Sequence, residues 1–146
     1  MKRKTIWMLI LTLFVSSISY AGHDIFISFE QLPPLSQEFI KKHFGDKKIA
    51  LSKMERDVFK ISYDVILTNG DKLEFNSKGE WMQIECKYSF VPIEIIPVQI
   101  LNYVQTNYPS AKILEIEKKR TYYEIQLSNK LEIKFNKAFQ VIEIDS

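Results

Sequence analysis

Cys86, His23 and His43 are the residues of this 146-residue chain best suited to nucleophilic or metal chemistry. A cysteine attacks as its thiolate when a base or positive charge keeps it deprotonated, so Cys86 with His43 as its base is the pairing to weigh. Cys86 alternates with Met82 and Ile84, the pattern of a strand face turned to a core. His43 sits in a helical, lysine-rich stretch. A buried thiol and a helix-surface imidazole follow, and neither is chemically active. The chain holds no His-Glu-x-x-His pair, Cys-x-x-Cys pair, glycine-rich phosphate loop or Gly-x-Ser-x-Gly elbow, and it has only four glycines. Carboxylates abound, but Glu74 beside Lys72 and Glu132 beside Lys134 have the spacing of solvated cross-strand partners, not of a glycosidase acid pair. The expectation is a protein that is not an enzyme and needs no cofactor or metal.

The amino terminus has the form of an export signal. Lys2, Arg3 and Lys4 precede an apolar stretch from Ile6 to Val15, and Ser19 and Ala21 occupy the positions a signal peptidase reads. The stretch falls short of the roughly 20 residues that span a bilayer. Cleavage after Ala21 is expected, and no cysteine follows that could carry a lipid, so the mature protein is expected to be periplasmic or secreted, without a stable membrane anchor. The whole chain has 20 Lys plus Arg against 18 Asp plus Glu; losing three leader cations leaves 17 against 18, a net charge of −1. Such a near-neutral chain without a basic cluster is a poor nucleic-acid ligand. With a single cysteine it must fold without an internal disulfide.

The elements that would position any site come from an internal repeat. Sliding the sequence by 64 residues lays Phe26–Pro33 over Phe90–Pro97, Ile40 over Val104, Phe44 over Tyr108, Arg56 over Arg120 and Phe59 over Tyr123. Beyond that the offset reads as 58, with Leu73-Glu74 over Leu131-Glu132, Trp81 over Phe139 and Glu85 over Glu143. In the first copy Leu35, Phe39, Ile40 and Phe44 fall at helical spacing after Pro34. In the second, Ile100, Leu101, Val104 and Tyr108 do so between Pro97 and Pro109. Strict alternation at Tyr63, Val65 and Leu67, and the Asn69-Gly70 pair, predict antiparallel hairpins. The fold class expected is α+β: residues 1–21 a signal peptide, 22–88 and 89–146 two tandem α-β(3–4) units, and an antiparallel sheet with helices on one face.

Gly79-Glu80-Trp81, Val91-Pro92, Ile96-Pro97-x-x-Ile100 and Tyr103-Val104-x-x-Asn107-Tyr108-Pro109 together resemble the PepSY-like family of exported bacterial proteins, also described as β-lactamase-inhibitor-like. Leu32-Pro33 and Phe75-Asn76-x-x-Gly79 extend the resemblance over nearly all the mature chain. It implies two α-β units in the periplasm of Bacteroides-like bacteria and no established reaction, since fold is weak warrant for function. Ser128-Asn129-Lys130 and Asn136-Lys137-Ala138 stand where the pattern has glycine-rich turns, which predicts reshaped hairpin tips in the second unit.

Alternation also nominates a binding face. If Phe59, Tyr63, Met82 and Ile142 face the helices, the opposite phase carries Val58, Ile66, Trp81, Gln83, Glu85, Tyr122, Phe139, Val141 and Glu143 outward. Aromatics ringed by charge have the composition of an interaction hot spot. The expected activity is non-catalytic, inhibitor-like recognition of a protein or peptide through Trp81, Phe139, Tyr122, Val58, Gln83 and Glu85, with Asp71 at a hairpin tip entering a partner's cleft. The alternative is a carrier for a small ligand or glycan.

Overall fold

The computed structural model describes residues 23–146; the predicted export signal lies outside them. The chain runs β1 (His23–Phe26), α1 (Pro34–Phe44), β2 (Ile49–Arg56), β3 (Ile61–Leu67), β4 (Lys72–Asn76), β5 (Trp81–Glu85), α2 (Val98–Asn107), β6 (Ile113–Lys118), β7 (Tyr122–Leu127), β8 (Glu132–Asn136) and β9 (Val141–Asp145). Among the described residues all nine strands form one antiparallel sheet in chain order, with no crossed strands, so the fold is α+β. Proline opens both helices, at Pro33-Pro34 and at Pro97, where a missing N–H costs nothing.

Both helices lie on one face. Phe39 of α1 meets Phe75 edge-on at 5.6 Å, and Tyr103 of α2 meets Phe135 edge-on at 5.4 Å. Ile40, Phe44, Ile100 and Val104 bury themselves against Val65, Leu73, Ile84, Ile116, Ile125 and Ile133, which come from the inward phase of the central strands. Lone Cys86 is free and buried in this core.

The ladders place corresponding residues 60 apart where the sequence reading used 58. Ser62 pairs with Asn76 as Tyr122 pairs with Asn136. Phe75 pairs with Trp81 as Phe135 pairs with Val141. Upstream the offset of 64 holds, with Ile49 opposite Leu67 and Ile113 opposite Leu127. The change falls in one hairpin. Met54 and Tyr63 pair across a β2–β3 arm, whereas Lys118 and Tyr123, their counterparts, pair directly at the β6–β7 turn. The longer first arm ends at Val58 and Phe59, and Phe59 is 97% exposed. It does not face a helix.

The turns predicted to be reshaped are not. Asn69 accepts the Asp71 N–H at 3.2 Å and Asn129 accepts the Leu131 N–H at 3.2 Å, closing equivalent turns. Asn76 accepts from Lys78 and Glu80, and Asn136 from Ala138 and Gln140, in the same way. Lys130 and Phe139 take the left-handed backbone, φ 72° and 60°, that Gly70 and Gly79 take at 91° and 85°. The side-chain amides hold the turn shape at the cost of strain in a non-glycine residue.

Candidate functional site

The nominated residues separate into several environments. At a bulge between Glu74 and Phe75, β5 carries one residue more than its partner: Gln83 stands opposite Glu74, but Trp81 stands opposite Phe75. An extra residue reverses the phase, so Trp81 joins Phe75 on the helix side, against expectation. The same irregularity puts Val141 opposite Phe135 and Glu143 opposite Lys134. Phe139 also leaves the outer face, stacking on Tyr123 with ring centroids 5.6 Å apart while Lys137 lies 4.1 Å from the Tyr123 centroid. Val58 belongs to the exposed β2–β3 tip.

Asp71 is a further correction, because it is fully buried and projects into no cleft. Its Oδ2 accepts from Asn69 Nδ2 at 2.8 Å and from Ser89 Oγ at 2.9 Å, while Oδ1 has no protein partner. The carboxylate ties the β3–β4 turn to the segment leading toward α2. Cys86 lies close by, and its thiol is pushed up to about 11, chiefly by burial and further by the Asp71 charge, with the neighbouring Ser89 hydroxyl and Lys47 opposing. At neutral pH it is a thiol and a poor nucleophile.

Gln83, Glu85 and Tyr122 do lie on the outer face. That face is built of charge, not of aromatics. One cross-sheet row runs Lys53, Asp64, Glu74, Gln83, Glu117, Glu124, Lys134, Glu143. A second runs Lys72, Glu85, Glu115, Gln126, Glu132, Asp145. Lys53 and Lys72 reach the buried Asp64 at 3.6 Å and 3.2 Å. Further along the sheet the carboxylates outnumber the lysines. Burial, then the charges of Glu85, Glu117 and Glu124, push Glu115 above the usual carboxylate range, against a hydrogen bond from Gln83. Burial raises Glu124 as well, with Lys134 opposing. Among the described residues no group of three or more His, Cys, Asp or Glu side chains is placed to hold a metal ion.

Trp81 instead helps line a groove of about 390 Å³ between α1 and the strands, with Leu35, Phe39, His43, Glu38, Lys42, Gly79, Glu80 and Lys118. Sequence reading singled out Trp81 and weighed His43 separately, but did not bring the two together, since they come from distant segments. Leu35 is exposed on α1, and Lys118 Nζ lies 4.7 Å from the Trp81 ring centroid. Desolvation, then the Lys42 charge, holds His43 below the usual imidazole range and so favours the uncharged imidazole, partly offset by Glu94. Gly79 makes the approach of α1 feasible: a Cβ there would stand 2.8 Å from Pro33 Cβ and 3.0 Å from the Ser36 nitrogen. The result is an apolar, aromatic slot with a rim of mixed charge, suited to holding a side chain.

The fold and this slot define a small α+β protein with two helices over a meander sheet. The chain belongs to the family described as "putative beta-lactamase-inhibitor-like, PepSY-like", whose model matches residues 61–143. A solved structure described as a putative periplasmic protein from Bacteroides vulgatus is 55% identical, with 84% of this chain and 97% of that chain covered and a TM-score of 0.83. One described as a putative calcium-regulated periplasmic protein from Bacteroides thetaiotaomicron is 51% identical over 84% and 97%, TM-score 0.83. A second Bacteroides vulgatus structure, described as a putative periplasmic protein of unknown function, is 40% identical over 85% and 100%, TM-score 0.80. No curated protein matches the chain.

Proposed function

We propose that this protein is an exported, non-catalytic binding module of two tandem PepSY-like units, residues 22–88 and 89–146, working in the periplasm after cleavage of residues 1–21. It recognises a protein or peptide by admitting an apolar side chain into the slot at Trp81. The observation that carries this reading is the indole itself, half-buried in a preformed groove beside Phe39 and Leu35 with charged residues at its edge. Tryptophan in such a setting supplies contact area at little entropic cost. The periplasmic relatives support the compartment, and the family description supports an inhibitor-like mode in which the partner is occluded without being altered.

A small-ligand or glycan carrier is the second reading, favoured by a volume within the usual range for ligand pockets. Lys118 weighs against a sugar, because it covers one face of the indole on which a sugar ring would stack. The test places a photo-crosslinking residue at Leu35, and separately at Phe139 as a control, in the exported protein. Support for the protein reading is a specific adduct from Leu35, absent from Phe139 and lost with Trp81→Ala. Ligand retained in native mass spectra of the wild type and lost with Trp81→Ala, with no protein adduct, would transfer the assignment to the carrier.

A further inference from the structure

Ile84 and Ile144 stand at matching ladder positions, opposite Leu73 and Ile133. Ile84 is 0% exposed and Ile144 is 45% exposed. The difference is a neighbouring strand. β5 is flanked by β6, with Gln83 opposite Glu117, Ile84 opposite Ile116 and Glu85 opposite Glu115. β9 has β8 on one side and, among the described residues, no strand on the other. Its open edge therefore presents the backbone donors and acceptors that β5 uses to hold β6.

From this we infer that the free edge of β9 is a strand-addition site, and that its occupant is an extended peptide alternating apolar with basic residues. β5 and β6 set the geometry: an antiparallel guest places one side chain over Ile144, as Ile116 lies beside Ile84. Charge sets the identity. At the two outward positions β5 offers Gln83 and Glu85, and Gln83 relieves the crowding by donating to Glu115. β9 offers Glu143 and Asp145 there, with no amide between them. Lys134 answers Glu143 at 2.6 Å from the β8 side, and the proximity of Glu143 raises Asp145 above its ordinary range. A guest with acidic residues at those positions meets repulsion, as does a second β9 paired about a two-fold axis. A guest with lysine or arginine completes the row. This surface is separate from the Trp81 slot.

The probe is a labelled synthetic peptide of residues 112–119 carrying Glu115→Lys and Glu117→Lys, titrated against the purified protein by fluorescence anisotropy. Saturable binding is expected, weakened about tenfold in the unsubstituted peptide and about tenfold when the backbone nitrogens facing β9 are methylated, which keeps the charge but removes the ladder. Glu143→Lys with Asp145→Lys should reverse the preference between the two peptides. Trp81→Ala should change nothing. Absence of binding overturns the inference. So does equal binding of the methylated peptide, which would mean charge attraction alone, and so does a stable dimer in sedimentation that the peptide cannot dissociate.

Discussion

Gly79 and Phe139 occupy the same position in the turns closing β4–β5 and β8–β9, both with left-handed φ, 85° and 60°. Gly79 lies under the first turn of α1, within a methyl group's reach of Pro33 and Ser36. Phe139 stacks on Tyr123 instead. Gly79→Ala meets both an unfavourable φ and a 2.8 Å contact with Pro33 Cβ. It should lower stability by about 3 kcal/mol, measured by urea denaturation.

Lys130 is the exposed counterpart of this strain, at φ 72° where the equivalent turn has Gly70. Lys130→Gly removes a left-handed lysine whose side chain is exposed. Thermal unfolding should show a gain of about 0.5–1 kcal/mol, reduced by the larger unfolded-state entropy of glycine.

Asp71→Ala removes the acceptor of Asn69 Nδ2 and Ser89 Oγ at a fully buried position. A loss of about 2 kcal/mol is expected, because two polar groups are left without their partner. Chemical denaturation measures it, and Ser89→Ala should cost less, since it leaves Asn69 in place.

Cys86 should resist thiol reagents in the native state. With burial at 1% exposure and a thiol pushed up to about 11, labelling at about pH 8 should run at least a hundredfold slower than in urea. Native labelling as fast as unfolded labelling would show that the core opens freely.

Glu115 gives a pH signature. Its folded value is raised, mainly by burial and then by neighbouring carboxylates. The fold therefore favours the protonated form: its contribution is fully present below the ordinary carboxylate value and is lost as pH rises through the raised one. Glu115→Gln keeps an acceptor for Gln83 and removes the charge. The variant should be about 0.5 kcal/mol more stable than wild type at neutral pH, with the gap closing toward about pH 4, as read from denaturation midpoints.

Alternation and turn chemistry made much of the fold legible. The run from Tyr63 to Leu67, the Asn69-Gly70 turn and the prolines opening both helices correspond to β3, its hairpin and the starts of α1 and α2. What misled was insertion. One extra residue at each of two bulges reversed the phase of Trp81 and Val141, and no residue type marks a bulge. The four-residue difference between the β2–β3 and β6–β7 hairpins moved the offset from 64 to 60. That second offset was readable: Tyr63 over Tyr123, Leu67 over Leu127, Asn69 over Asn129 and Phe75-Asn76 over Phe135-Asn136 all align at 60. The Trp81 slot was not readable as a whole, because Phe39, Glu80 and Lys118 meet only once the helix is seated on the sheet.

The unbroken order of strands also governs how the chain assembles. From β2 to β5, and again from β6 to β9, each pairing closes over a short turn, so little loop entropy opposes it and both meanders are sources of local contact order. Joining them requires a span of 27 residues, 86–112, to close over α2; the ladder there has three register pairs, from Gln83–Glu117 to Glu85–Glu115, continued by Cys86 N–H to Leu114 O and Val91 N–H to Ile113 O. That junction is expected to close late and to open first, which native-state hydrogen exchange would read as lower protection at Gln83–Glu85 than at the strands within either meander.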